Sequence, residues 1–261
     1  MNFSNKVVFV AGGTSGINFG IAESFVAAGA RVAVLSRKQD KVDAAVAALK
    51  AKGGEAIGFA ADVRSIEALD AAMAVTAAQW GAIDVLVSGA AGNFVSEADQ
   101  LSANGFKTVI DIDLLGCFNV MKAAFPHLKK PGASIVNISA PQSWLPTPMQ
   151  IHVCAAKAGI DQVTRTAAME WGPKGIRVNA IAPGPIADTE GMKRLAPTPA
   201  AAQAWTDSVP LRRWGTRQEI ARVTQWLCSD DASYVSGAIL PVDGGWSLGG
   251  SSAMSSALLA S

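Results

Sequence analysis

Val7-Val8-Phe9-Val10-Ala11-Gly12-Gly13-Thr14-Ser15-Gly16-Ile17-Asn18 passes from an unbroken apolar run straight into a glycine-rich turn. A strand covered on both faces reads as a continuous hydrophobic run rather than an alternating one. Glycines in the turn that follows permit close approach of a pyrophosphate to backbone N–H groups at a helix N-terminus. Such a turn alone says little, because many strand-to-helix connections need glycine. Its place at the head of a long strand–helix alternation makes it a dinucleotide turn, with Gly12, Thr14, Ser15, Gly16 and Ile17 against the phosphates. Asn18 stands where a third glycine is common in such turns; asparagine tolerates left-handed backbone but adds a side chain.

Outward from that turn, short β-branched runs alternate with alanine-rich stretches. The expected strands are Lys6–Ala11, Arg31–Ser36, Glu55–Ala60, Ile83–Ser88, Ala133–Ser139, Ile176–Ile181 and Ala238–Val242. Helices are expected to begin near Ile17, Gln39, Ser65, Leu101, Ile151 and Thr216. The pattern predicts an α/β, Rossmann-like doubly wound parallel sheet of seven strands in one domain over residues 1–245, with helices on both faces and ligands at the carboxyl ends of the strands. Gly184 to Arg213, rich in proline, alanine and basic residues, reads as a mobile lid. Residues 246–261 are Gly/Ser/Ala-rich and read as a flexible or subunit-contacting tail.

The second strand ends Val34-Leu35-Ser36-Arg37-Lys38. An acidic residue here would accept hydrogen bonds from the ribose hydroxyls of NADH; a guanidinium instead engages a 2′-phosphate with bidentate geometry. Ser36, Arg37 and Lys38 therefore point to NADPH, against the plainer reading of Arg37 as a solvated residue opening the next helix.

Composition bounds the rest. The 261 residues are 50% hydrophobic and 16% charged, with a formal net charge of +1, which offers no footprint for nucleic acid or an anionic membrane. Three cysteines not in ligand spacing and two histidines, His127 and His152, make reduced thiols and no metal site the expectation. The uncharged run from Pro131 to Ala156 carries Pro141, Pro146 and Pro148, so it is no membrane-spanning helix. No signal peptide is read at Met1–Lys6, and Leu258-Leu259-Ala260-Ser261 is not a peroxisomal address, so a cytoplasmic protein is expected.

Asp84-Val85-Leu86-Val87-Ser88-Gly89-Ala90-Ala91-Gly92-Asn93-Phe94 stands where short-chain dehydrogenases/reductases carry an Asn-Asn-Ala-Gly turn beneath their cofactor. The doubled alanine before Gly-Asn-Phe resembles the 2,4-dienoyl-CoA reductases, particularly the peroxisomal type. So do Phe106–Asp113, Glu170-Trp171-Gly172-Pro173, Ala182-Pro183-Gly184-Pro185-Ile186 and Thr189–Leu195. The resemblance covers the chain from the first strand to about Gly245. It implies that Asp62 and Val63 border the adenine, that Ala90, Ala91 and Gly92 lie under the cofactor, and that Pro183, Gly184 and Ile186 contact it too. It also implies an oligomer, usually a tetramer packed through Gly116–Leu128 and Ile151–Trp171.

The superfamily reduces carbonyls with a Tyr-x-x-x-Lys pair. Here the lysine is Lys157, but Val153 stands four residues earlier and Tyr234 is the one tyrosine in the chain. The family's serine, thirteen residues before the tyrosine, falls at Ala140, and its asparagine falls at Asp113. Loss of a positioned general acid costs factors of roughly 10² to 10⁴, so plain alcohol or ketone chemistry is disfavoured. Dienoyl-CoA reduction tolerates the loss. By the resemblance, hydride from NADPH goes to the δ carbon, Asp113 holds a water, and Lys157 binds the nicotinamide ribose and supplies positive charge. Asp113 could alternatively serve only a backbone N–H. His152, beside the vacant place, is expected on the surface or at an interface, since neighbours on a helix point about 100° apart. Asn93 and Phe94 could touch the substrate, or Phe94 could anchor its loop. Cations of the lid (Lys193, Arg194, Arg212, Arg213) could meet the phosphates of coenzyme A, or be merely solvated. Two other readings stay open: a reductase or dehydrogenase of another acyl-CoA or enone, as in branched or terpenoid acid breakdown, and a silent NADPH-binding subunit. An enoyl-acyl-carrier reductase with a longer Tyr-to-Lys spacing is excluded by the absence of tyrosine upstream of Lys157.

Overall fold

In the computed structural model, which describes residues 1–251, seven parallel strands lie in the order β3-β2-β1-β4-β5-β6-β7. They are β1 (Val7–Ala11), β2 (Arg31–Ser36), β3 (Ala56–Ala60), β4 (Val85–Ser88), β5 (Ser134–Ile138), β6 (Arg177–Pro183) and β7 (Ile239–Val242). Every residue of β1 and of β4 is buried, as their unbroken apolar runs require of strands covered on both faces. Phe9, Leu35, Leu86 and Ile135 pack on one side of the sheet with Met73 and Val120; Val8, Val10, Val34 and Val136 pack on the other with Ile21, Phe25 and Ile220. The helices are α1 (Gly16–Ala27), α2 (Gln39–Ala51), α3 (Ile66–Trp80), α4 (Ala103–Val109), α5 (Gly116–Ala124), α6 (Ile151–Trp171), α7 (Glu190–Leu195), α8 (Pro199–Ser208) and α9 (Arg217–Cys228), and those partners come from α1, α3, α5 and α9.

Strand order reverses between β1 and β4, which pair directly through Val8–Val85 and Ala11–Ser88. The chain leaves these two strands in opposite directions and opens a crevice above their carboxyl ends. That is where the glycine turn and the Gly89–Phe94 loop meet.

Element boundaries shift slightly from the sequence expectation. The fourth strand starts at Val85; just ahead of it the Asp84 carboxylate accepts the Val7 N–H (3.0 Å) and both the Lys6 and Lys129 ammonium groups (3.2 and 3.3 Å), and Ile83 forms an isolated bridge to Leu128. The lid is not featureless: Thr189 and Thr198 cap α7 and α8 with their side chains, and Pro199 takes the first turn of α8. Trp205 of α8 donates its indole N–H to the Leu195 carbonyl (3.2 Å), and its ring lies 5.3 Å from that of Trp246. Residues Trp246–Ser251 form a 3-10 helix; the remainder of the expected tail lies outside the described residues.

Candidate active site

The dinucleotide turn is built by backbone geometry. Gly12 and Gly16 have φ of 77° and 55°, and a Cβ on Gly12 would lie 2.9 Å from the Ala90 nitrogen. A side chain there would push the β1 and β4 turns apart. Helix α1 begins at Gly16 with Ser15 extended ahead of it and no side-chain cap, so its first N–H groups remain available to an anion.

A cleft of about 270 Å³ runs from this turn to the end of β2. Its walls bring together Gly12, Thr14, Ser15, Ser36, Arg37, Lys38, Asp62, Val63, Ala90 and Ala91, as the sequence led one to expect. Lys41, in the first turn of α2, joins them and was missed; its spacing from Arg37 was a usable signal. Arg37, Lys38 and Lys41 have no carboxylate within ion-pair distance among the described residues, so three cations face the cleft unneutralised.

Asp62 is less free than expected. Arg64 grips both its oxygens (3.0 and 2.6 Å), and that grip holds the carboxyl below its ordinary value despite partial burial. Asn18 lies within α1, and its added side chain donates to the Gly89 carbonyl (2.6 Å), tying the β1 turn to the β4 turn. Pro183, Gly184 and Ile186 are not on this cleft; Gly184 packs against Asp243, and Ile186 is buried in the core. Ile17 packs on the same core, while Gly16 faces Thr189 at the start of the lid.

Beyond Ala91 lies the pair of greatest chemical interest. The chain enters a π-helical turn over Ile110–Leu115, and this widened turn carries Asp113 inward to 1% exposure. Asp113 Oδ1 accepts the Gly92 N–H at 2.7 Å, and Oδ2 lies 3.3 Å from Lys157 Nζ. Lys157, 6% exposed on α6, also donates to the Ile138 carbonyl at 3.1 Å. The two charges neutralise one another in a dry setting, and an ammonium has three hydrogens, so one donor of Lys157 remains for a ligand. Asp113 thus does serve a backbone N–H, that of Gly92, and also pairs with the lysine.

The place of the expected phenol is filled by hydrocarbon. Val153 is buried with Val109 and Ala156 against Ile110 and Leu114. Ser139, next to Ala140, is committed elsewhere: its hydroxyl donates to Asp161, a buried carboxylate one turn beyond Lys157 on α6. Asp161 was not singled out in the sequence, although an i, i+4 acid after Lys157 was a legible hint. Tyr234 is fully exposed beside a separate concavity of about 760 Å³ at the amino ends of the strands, lined by Lys6, Asp84 and Arg177.

His152 contradicts its expected surface position. It is 0% exposed, because α6 buries a broad stripe that includes His152, Val153, Ala156 and Lys157. Its ring lies 4.5 Å from that of Phe94, and neither ring nitrogen makes a well-formed hydrogen bond. Burial holds the imidazole below its ordinary value, with the Phe94 backbone and the Asp113 carboxylate acting in the opposite sense.

On the open side, Phe94 is 39% exposed and Asn93 offers its carbonyl to Arg194 of α7 at 2.9 Å. The lid therefore reaches the loop that starts at Gly92. The other lid cations are already engaged within the chain: Lys193 with Glu190 (2.9 Å), Arg213 with Glu219 (2.6 Å) and Arg212 with the Asp207 carbonyl (2.7 Å). Of the expected phosphate-binding cations, only Arg194 lacks a carboxylate partner inside 4 Å together with a place on the site.

Residues 11–247 match the family model described as Enoyl-(Acyl carrier protein) reductase. The chain is 44% identical over 243 residues to a peroxisomal 2,4-dienoyl-CoA reductase [(3E)-enoyl-CoA-producing] of Rattus norvegicus, covering 92% of this chain and 83% of that one. It is 39% identical over 243 residues to a probable 2,4-dienoyl-CoA reductase [(2E)-enoyl-CoA-producing] of Bacillus subtilis, covering 92% and 96%. Among solved structures, a citronellol catabolism dehydrogenase of Pseudomonas aeruginosa superposes with a TM-score of 0.83 at 36% identity, covering 94% of this chain and 96% of that one. With its sheet order, its glycine turn and a match spanning almost its whole length, the chain belongs to the short-chain dehydrogenase/reductase family of oxidoreductases.

Proposed function

We propose that this protein reduces a conjugated 2,4-dienoyl-CoA with NADPH, sending hydride to the δ carbon and a water-derived proton to the α carbon. The observation that carries this reading is the buried Lys157–Asp113 pair beside Val153: a charged site with no phenol to protonate a carbonyl. The relatives' names supply the substrate class.

The cleft suits the cofactor. Backbone N–H groups at the start of α1 would hold the pyrophosphate, Arg37 with Lys38 and Lys41 the 2′-phosphate, and Lys157 the nicotinamide ribose. Once bound, the nicotinamide supplies a hydride. The chain must then stabilise negative charge on the thioester oxygen and bring a proton to the α carbon. Lys157 contributes a fixed positive charge where that negative charge develops. Asp113 keeps the ammonium in place and can hold a water by its own remaining lone pairs. Val153 and Ala156 keep other water from the carbonyl side. Arg194, joined to Asn93, would close the lid over the coenzyme A arm.

Protonation at the α carbon leaves the double bond between the third and fourth carbons, the product stated in the rat relative's name; protonation at the γ carbon gives the product in the Bacillus relative's name. Reaction in deuterated water tests this directly. Deuterium on the α carbon supports the proposal, and deuterium on the γ carbon refutes it.

A second reading has one observation behind it: the structural likeness to the citronellol catabolism dehydrogenase. It takes a branched terpenoid acyl-CoA as substrate, and side-by-side turnover of straight and branched dienoyl-CoA separates the two. The proposal extends to a cytoplasmic homotetramer. Exposed Leu115, Phe118 and Met169 on or beside α5 and α6 support the assembly, and three free cysteines support a reducing compartment. Among the described residues, no helix is long and apolar enough to cross a membrane.

A further inference from the structure

A histidine with no exposure and no well-formed hydrogen bond to either ring nitrogen, felt only by the nearby Phe94 backbone and the Asp113 carboxylate, is an anomaly in a native interior. Buried polar atoms are normally satisfied by protein or ordered water, and one that is not calls for an explanation. His152 is such a residue, and its position removes the plainest explanation, that of an inert core side chain far from any ligand.

It sits on the first turn of α6, directly before Val153 and one turn ahead of Ala156 and Lys157. Its ring is covered by Phe94, at 4.5 Å and a tilt of 54°. Phe94 itself is 39% exposed, so the cover faces the opening of the site. The loop leading into Phe94 is held at the two residues before it: Asp113 accepts the Gly92 N–H, and Arg194 of α7 donates to the Asn93 carbonyl. The Asn93 side-chain oxygen is also buried without a partner. Two unpartnered polar side chains therefore flank one aromatic cover, next to the buried Lys157–Asp113 pair.

A neutral imidazole always offers one N–H donor and one acceptor. In the reduction proposed above, the group most in need of a donor is the thioester oxygen, which gains negative charge when hydride adds to the far end of the conjugated system. The residues that usually serve a carbonyl in this family are absent, since Val153 and Ala140 carry no hydrogen-bonding side chain. Resting on that reading, we infer that His152 is the missing donor: as Phe94 swings from the imidazole onto the substrate, the ring N–H hydrogen-bonds the thioester oxygen.

The test uses the full-length protein, hexadienoyl-CoA and two variants. A donor to the carbonyl polarises the conjugated dienoyl thioester, so binding to the protein without NADPH shifts its ultraviolet band to longer wavelength. His152→Phe should abolish that shift and lower kcat by about 10²- to 10³-fold, the usual effect of deleting one oxyanion donor. NADPH affinity and melting temperature serve as controls for folding and should hold. His152→Gln, which keeps an N–H at similar reach, should restore part of both the shift and the rate. A band shift and kcat in His152→Phe equal to those of the wild type would overturn the role of His152 while leaving the reductase reading intact. Loss of both in His152→Gln to the same depth as in His152→Phe would reduce the residue to a packing element. Failure of the wild-type protein to bind or turn over any dienoyl-CoA would defeat the functional reading itself, and this assignment with it.

Discussion

Lys157 Nζ and Asp113 Oδ2 lie 3.3 Å apart, with only 8% and 1% of their side chains exposed. Breaking a buried pair by deleting one partner costs about 3–5 kcal/mol, because the other charge is left dry and uncompensated. Asp113→Ala also strands the Gly92 N–H, whereas Asp113→Asn keeps an acceptor for it. Denaturant unfolding should show Asp113→Ala destabilised by about 3 kcal/mol and Asp113→Asn by about half of that. Both should lose turnover by about 10²-fold with near-normal NADPH affinity. An Asp113→Asn enzyme with wild-type kcat would reduce Asp113 to a loop anchor.

Lys157→Ala should abolish measurable turnover and also weaken NADPH in titration calorimetry, since the ammonium is proposed to touch the ribose as well as the reacting end. Unchanged kinetics would remove it from the mechanism.

The proposed preference for NADPH rests on Arg37, Lys38 and Lys41, which form no ion pair among the described residues. Arg37→Ala should lower the NADPH-over-NADH ratio of kcat/KM by about 10- to 100-fold, the value of one charge-assisted contact of roughly 1.5–3 kcal/mol. Activity with NADH should barely move. A ratio that stays constant contradicts the assignment of Arg37 to the 2′-phosphate.

The lid is rooted by a capping box in which Thr216 and Glu219 exchange hydrogen bonds at the start of α9, with Arg213 paired to Glu219. The Arg213 guanidinium and the Thr216 N–H hold the Glu219 carboxyl down to about 2, from an ordinary 4.5. Its folded value is depressed, so the stabilisation is complete above about pH 4.5 and is lost as pH falls towards 2. Glu219→Gln should flatten the pH dependence of stability across that window, and Thr216→Ala should cost about 1 kcal/mol at neutral pH. A Glu219→Gln curve parallel to the wild type below pH 4.5 would refute the linkage.

Much of this was legible before the fold was known. Doubly buried strands such as β1 announce themselves as unbroken apolar runs, and the glycine turn marks where the ligand must lie. The lid helices were hidden by a composition of proline, alanine and basic residues, though Thr189, Thr198 and Pro199 are start signals. His152 was misplaced because helical wheel geometry assumes one buried face, whereas α6 is enclosed widely enough to bury adjacent residues. The Lys157–Asp113 pair joins residues 44 apart in sequence through a π-helical turn that no local pattern encodes. The vacancy at Val153 needed only a comparison of residue types; what fills it needed the packing of Val109 and Ala156.

The most direct test of the central claim is NADPH oxidation by the purified protein with trans-2,trans-4-hexadienoyl-CoA and a longer-chain dienoyl-CoA, with a β-ketoacyl-CoA and a simple ketone as controls. The account predicts turnover of both dienes, with diene absorbance and NADPH lost in equal amounts, and no reaction of the ketones. Reduction of the ketones, or NADPH binding without any oxidation in the presence of the dienes, would contradict it.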